Sequence, residues 1–301
     1  MGGGSWTASD WQTKSTYTRA QTQQQVFSQR SIHLDMNPMG VSLRESRDST
    51  EHPESTAIII GLDETGSMGK IPEIMIKEKL GILVGEVLDR KPVTDPQILF
   101  MGIGDAYCDS APLQVGQFES DITMTHWLEK IYLEGNGGGN GGESYTFPWY
   151  FAGLHTSIDC FEKRNKKGYL FTIGDEHYHD TLTRQQIAAF CGDNAERDYT
   201  ADELLTLVSR QYHVFHLVIT HGGQSFGDNV LARWKALLGE RALIVDDHDK
   251  ISEIIVSTIQ VNEGADVKTV VNSWSGDTSL VVSKAIGGLT ATGNTSGVVR
   301  L

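Results

Sequence analysis

Polar side chains fill the first 55 residues without any period, and then the pattern changes abruptly. Residues 1–55 are rich in Ser, Thr, Gln and Gly, as in Thr22-Gln23-Gln24-Gln25. That composition predicts a disordered arm or an extended wrap around the core. The charged stretch 44–49 reads as an ordered lead-in. Residues 56–62 are then apolar almost throughout, the mark of a strand buried on both faces. Gly66 and Gly69 break it, and Pro72 suits the first turn of a helix. Ile74, Ile76, Leu80, Leu83, Val84, Val87 and Leu88 follow at helical spacing until Pro92 and Pro96.

The alternation continues. Strands are expected at 97–104, 168–174, 212–220 and 242–245, with a short edge strand at 113–118. Helices are expected at 121–132, 148–164, 183–190, 201–210, 229–238 and 251–260. The glycine-rich run 135–142 must be a loop. Strands alternating with helices imply right-handed βαβ units. The expected fold is α/β: a doubly wound, mainly parallel, Rossmann-like sheet with helices on both faces. One domain spans 56–262, between a polar arm (1–55) and an extension (263–301). Weak alternation around Ser279-Leu280-Val281-Val282 leaves that extension open as a tail strand or a flexible segment.

Composition narrows the function classes. The formal net charge of −14 repels phosphate backbones, so nucleic acid is not an expected partner. Cys108, Cys160 and Cys191 are far apart and outside any zinc-ligand spacing. The start of the chain lacks a secretory pattern, and Trp6 stands where a myristoylation signal needs Ser or Thr. The longest apolar runs are strand-sized, so no membrane span is expected. A reducing, cytoplasmic setting is the expectation.

The candidate chemistry begins at Gly61-Leu62-Asp63-Glu64-Thr65-Gly66-Ser67-Met68. Asp63, Thr65 and Ser67 alternate directly after a buried strand and before a helix. One carboxylate and two hydroxyls are hard donors, suited to Mg²⁺, Mn²⁺ or Ca²⁺. The bland alternative is that Asp63 and Thr65 merely cap the helix. In this context the segment resembles the Asp-x-Ser/Thr-x-Ser signature of the metal ion-dependent adhesion site of von Willebrand factor A (VWA) domains. The resemblance covers residues 56–260.

Two further segments strengthen it. Phe171-Thr172-Ile173-Gly174-Asp175-Glu176 ends another buried strand, where relatives carry a third-loop Asp; a turn residue is the alternative for Asp175. The run from Gly137 to Ser144 resembles the glycine-rich second loop of a VWA subgroup, with Asn140 in place of the usual Asp and Gly142 in place of Pro. The usual threonine ligand is not obvious there. Glu143 is the first choice, with Asn140, Ser144 and Thr146 as other donors; the alternative is a loop that touches no metal. Asp105 reads as a turn residue, and His177, His179, His213 and His216 as rim or packed residues rather than zinc ligands. The glycine run lacks the Gly-Lys-Ser/Thr of a P-loop, and Ser67 lacks the Gly-x-Ser-x-Gly of a nucleophile elbow.

The resemblance implies a protein-binding module, for adhesion or scaffolding. Its metal, Mg²⁺ by expectation, would be held by Asp63, Thr65, Ser67, Glu143 and Asp175 and would take an acidic side chain of a protein partner. A metal-dependent hydrolase using His177 or His179 as base is a second reading, though no strong nucleophile–base pair appears at motif level. A structural assembly component, such as a phage protein, is a third.

Overall fold

A computed structural model describes residues 4–134, 141–220 and 224–290, without side chains for 224–228. In chain order the first elements are α1 (Ala8–Arg19), α2 (Gln23–Val26), a 3₁₀ turn (Leu34–Met36), β1 (Arg44–Ser46) and β2 (Thr56–Asp63). The metal-motif segment forms a 3₁₀ turn (Gly66–Met68) and leads into α3 (Ile71–Ile74) and α4 (Leu80–Arg90), joined by a π-helical turn (Met75–Lys79). Then come β3 (Pro96–Ile103), β4 (Leu113–Val115), α5 (Met124–Glu129), α6 (Thr146–Leu154), β5 (Thr156–Ile158), α7 (Asp159–Arg164) and β6 (Gly168–Gly174). The chain continues through β7 (Thr181–Leu182), α8 (Arg184–Phe190), β8 (Tyr199–Thr200), α9 (Ala201–Val208), β9 (Tyr212–Ile219) and α10 (Gln224–Leu238). It ends with β10 (Ala242–Val245), α11 (Ile251–Asn262), α12 (Val267–Asn272) and α13 (Gly276–Ile286).

The main sheet has six strands in the order β10-β9-β6-β2-β3-β4, all parallel except the edge strand β4. Every residue of β2 is buried. Its side chains alternate between two cores: Ile58, Ile60 and Leu62 face one, and Ala57 and Ile59 the other. The first core is closed by Leu80, Leu83 and Val87 of α4 and Ile251, Ile255 and Ile259 of α11. The second is closed by Phe147 and Phe151 of α6, Leu204 of α9 and Trp234 of α10. A strand with two apolar faces is stable only under helices on both sides, so the doubly wound, Rossmann-like expectation is met.

Three segments differ from expectation. The helix expected over 148–164 breaks after Leu154, because residues 156–158 pair in parallel with β1. The N-terminal region, expected as a disordered arm or an extended wrap, holds two helices. Trp11 of α1 fills the notch left by Gly81 of α4, where even a Cβ would lie 1.9 Å from its indole nitrogen. The C-terminal segment forms α12 and α13, so residues 279–282 are helical, and Val282 and Ile286 join the α11-side core. Among the described residues no helix is long and apolar enough to cross a membrane.

The lead-in is clamped to α7. The Asp48 carboxylate accepts from Arg164 Nη1 (2.8 Å) and from Ser55 Oγ (2.8 Å), while Asp48 N donates to Asp159 Oδ2 (2.8 Å). Burial pushes the Asp48 carboxyl up, but the bonds from Arg164, Ser55 and Lys163 outweigh it and hold the group well below the usual range.

Two outcomes follow from this packing. Gly81→Leu displaces Trp11, so limited trypsinolysis at Lys14 and Arg19 accelerates relative to wild type; an unchanged rate means α1 is not held by that notch. Asp48→Asn lowers stability by ~1–2 kcal/mol at neutral pH. A depressed folded-state pKa stabilises above the unfolded value of about 3.9, and the benefit fades as pH falls below it. Denaturant midpoints of the two chains therefore converge towards pH 3, and a gap that widens on acidification contradicts the assignment.

Candidate metal centre

The strand order reverses direction between β2 and β6: β3 and β4 lie to one side, β9 and β10 to the other. In open α/β sheets ligands bind at such a switch point, outside the carboxyl ends of the strands. Asp63 is the last residue of β2 and Asp175 follows the last residue of β6, so the two flank this crevice.

The first loop is built by its own hydrogen bonds. Asp63 Oδ1 accepts from Thr65 N (2.9 Å) and Thr65 Oγ1 (2.6 Å). Ser67 Oγ donates to Asp175 Oδ1 (2.8 Å), which ties the first loop to the third. Each hydroxyl proton is thus directed at a carboxylate, and the two hydroxyl oxygens lie 3.2 Å apart. Gly69, at φ 54°, ends the 3₁₀ turn in a conformation that glycine adopts without strain. The chain thereby gathers Asp63, Thr65, Ser67 and Asp175 into one connected group.

Glu143 belongs to the same end of the sheet. Its backbone N donates to His177 O (2.8 Å), and Glu143 bridges to Tyr178, so the second loop is zipped to the third. Its side chain is buried, and among the described residues Oε2 has no hydrogen-bond partner. Burial first, then the charges of Asp63 and Asp105, push the Glu143 carboxyl far above its usual range. Burial likewise raises Asp63, and the charge of Asp175 adds to it. Of the other second-loop donors, Ser144 Oγ accepts from Ala106 N (2.9 Å) and Thr146 is buried at the start of α6. Asn140 lies outside the described residues.

Three residues acquire a place in the site that local pattern did not assign. Tyr145 donates its phenol to Asp63 Oδ2 at 2.5 Å. Asp105 is the turn residue expected, accepting from Tyr107 N (3.1 Å), but it is buried and also meets His179 Nε2 at 2.7 Å. Glu64 is buried beside Asp63 and held by Gln114 Nε2. The spacing Asp63-Glu64 and the strand-end position of Asp105 carried some signal; Tyr145 carried none. His216 is packed rather than liganding, buried with its ring stacked on Trp234.

The donor set fits a hard divalent cation. Oxygens on neighbouring vertices of a Mg²⁺ octahedron are about 2.9 Å apart, from bonds of ~2.0–2.1 Å, and more for larger ions. The Thr65–Ser67 separation of 3.2 Å is of this size. Buried carboxylates that repel one another also fit a positive charge between them. Among the described residues no three His, Cys, Asp or Glu side chains gather closely enough to hold a metal by themselves; a cation here depends on the two hydroxyls. A cleft of about 330 Å³ opens beside Thr65 and Gly66, walled by Gln23, Gln24 and Phe27 and by Leu133.

A mainly parallel six-stranded sheet with one antiparallel edge, and an Asp-x-Thr-x-Ser loop at the tip of its central strand, make a Rossmann-like α/β fold of the kind that the resemblance to VWA domains implies. No family model matches the chain, and no curated protein matches it. Among solved structures it is similar to the pilus adhesin SpaC from Lactobacillus rhamnosus GG, at 7% identity and TM-score 0.47, covering 76% of this chain and 31% of that one. It is also similar to a von Willebrand factor type A protein from Catenulispora acidiphila, at 14% identity and TM-score 0.38, covering 71% of this chain and 44% of that one. A third is the vWF domain of the type V pili tip protein Mfa5 from Porphyromonas gingivalis, at 11% identity and TM-score 0.39, covering 75% of this chain and 98% of that one. This chain therefore spans about a third of the length of the SpaC adhesin.

Glu143→Gln keeps the shape but removes a buried, repelled carboxylate. In EDTA at neutral pH it stabilises the fold by ~1–2 kcal/mol, measured by chemical denaturation; a loss of stability would show that the carboxylate is satisfied by contacts of its own.

Proposed function

We propose that the chain is a metal-dependent protein-binding module whose divalent cation, Mg²⁺ or Mn²⁺, sits at the sheet tip and takes an acidic side chain from a protein partner. The hydroxyl pair carries this reading: Thr65 and Ser67 each commit a proton to a carboxylate and leave lone pairs 3.2 Å apart. Thr65 and Ser67 would bind the ion through oxygen, with Asp63, Asp175 and Glu143 supplying negative charge. Neutral hydroxyl ligands leave the ion enough positive character to attract a further carboxylate. That chemistry, not the pilus proteins among the fold neighbours, supports the reading.

The cleft beside Thr65 gives the partner's chain a place to lie next to the ion. The same chemistry would serve adhesion, scaffolding or an assembly component equally. The free thiols of Cys108, Cys160 and Cys191 suit a reducing, cytoplasmic setting. The hydrolase alternative lacks an activated hydroxyl: the Thr65 and Ser67 protons go to carboxylates and not to an imidazole.

Calorimetry with Mg²⁺ and Mn²⁺ tests the proposal. Wild type binds one ion and melts at a higher temperature with it, and EDTA reverses both effects. Asp63→Ala stays folded and loses binding by at least tenfold. Affinity capture yields a partner in Mg²⁺ that is released by EDTA. A wild-type chain that binds neither ion defeats the proposal, and phosphoester or peptide turnover that survives Asp63→Ala defeats the metal-hydrolase alternative.

A further inference from the structure

The second loop reaches Asp63 through a residue with an aromatic ring. Tyr145 precedes α6, is fully buried, and extends its phenol over the end of β6 to Asp63 Oδ2. Gly174 makes this passage possible: a Cβ there would lie 1.9 Å from the phenol oxygen. The same oxygen accepts from Glu176 N at 3.4 Å. One hydroxyl therefore touches the first loop and the third while belonging to the second.

Asp63 is left with no free rotation. Thr65 occupies Oδ1 with two bonds and Tyr145 occupies Oδ2. The carboxylate plane then decides where the Thr65 hydroxyl, and with it the lone-pair face of the donor group, must point. The ring itself is wedged against His216 (4.9 Å between centroids) and Trp234 (5.5 Å), and Trp234 Nε1 donates to Glu176 O (3.1 Å).

We propose that Tyr145 is a positioning residue for metal binding: its phenol orients Asp63 for the cation, and its ring passes the occupancy of the site to Trp234 on α10. This rests on the metal-binding reading above. Partners that hold a metal-site carboxylate or imidazole in place are worth about 10- to 100-fold in metal affinity, which sets the expected size of the effect.

The test titrates the full chain with Mn²⁺ alone, by calorimetry and by tryptophan emission. Tyr145→Phe keeps the ring and loses the hydroxyl; its affinity for Mn²⁺ falls about tenfold or more, and the emission change shrinks. Phe147→Leu, two residues on in α6, is the control for stability loss: it lowers the melting temperature and leaves Mn²⁺ affinity unchanged. Trp234→Phe, saturated with Mn²⁺, loses most of the emission change. Should Tyr145→Phe not fold, Gly174→Ala displaces the phenol with Tyr145 retained, and the same weakening is expected. Wild-type affinity in Tyr145→Phe, or equal weakening in Phe147→Leu, overturns the positioning role. A full emission change in Trp234→Phe overturns the relay. A wild-type chain that binds no Mn²⁺ removes the metal-binding reading and this inference together.

Discussion

A carboxylate buried at the end of the central strand is costly unless it is held and compensated, and Asp63 is wholly buried. The features around it follow from that cost. Its two oxygens take three hydrogen bonds, from Thr65 N, Thr65 Oγ1 and Tyr145. These bonds only partly offset burial, and neighbouring Asp175 adds repulsion. The site as a whole gathers buried carboxyl groups that repel one another at the end of the strands, an arrangement that a positive charge between them would relieve.

The fold makes this arrangement possible because the sheet reverses its winding between β2 and β6. Loops leaving adjacent strands must diverge there, one to each face. Their first residues, Asp63-Glu64 and Asp175-Glu176, are left side by side above the sheet edge. The second loop is drawn in from the β4 side and fixed to the third by Glu143 N and the Tyr178 bridge. Three loops distant in sequence are thereby joined through backbone as well as side chains. Rigid strands beneath them give the donors fixed positions.

The outer layers act at a distance from the site but share its boundary. Helix α1 docks through Trp11 on Gly81 and carries α2 to the rim of the cleft beside Thr65. The polar N-terminal region thus forms part of the wall of that cleft. On the same face of the sheet, α12 and α13 cover the core beside α11.

Much of this was legible in the residue pattern. Continuous apolar runs such as 56–62 can only be strands covered on both faces, and their alternation with helical periods determined a doubly wound sheet. The Asp63-x-Thr65-x-Ser67 spacing and the strand-end Asp175 were visible because a turn after a buried strand imposes its own local geometry. Tertiary structure alone decided the rest. Tyr145 reaches Asp63 only because Gly174, 29 positions away, leaves room for its phenol. Helix α1 has no apolar stripe of its own and is held by Trp11 in a distant glycine notch and by Lys14 on Glu129. The break after Leu154 answers to a strand partner at 44–46. Periodicity records what a segment does with its neighbours in sequence; a close approach between segments depends on which side chain is missing on the far side, and that is not written locally.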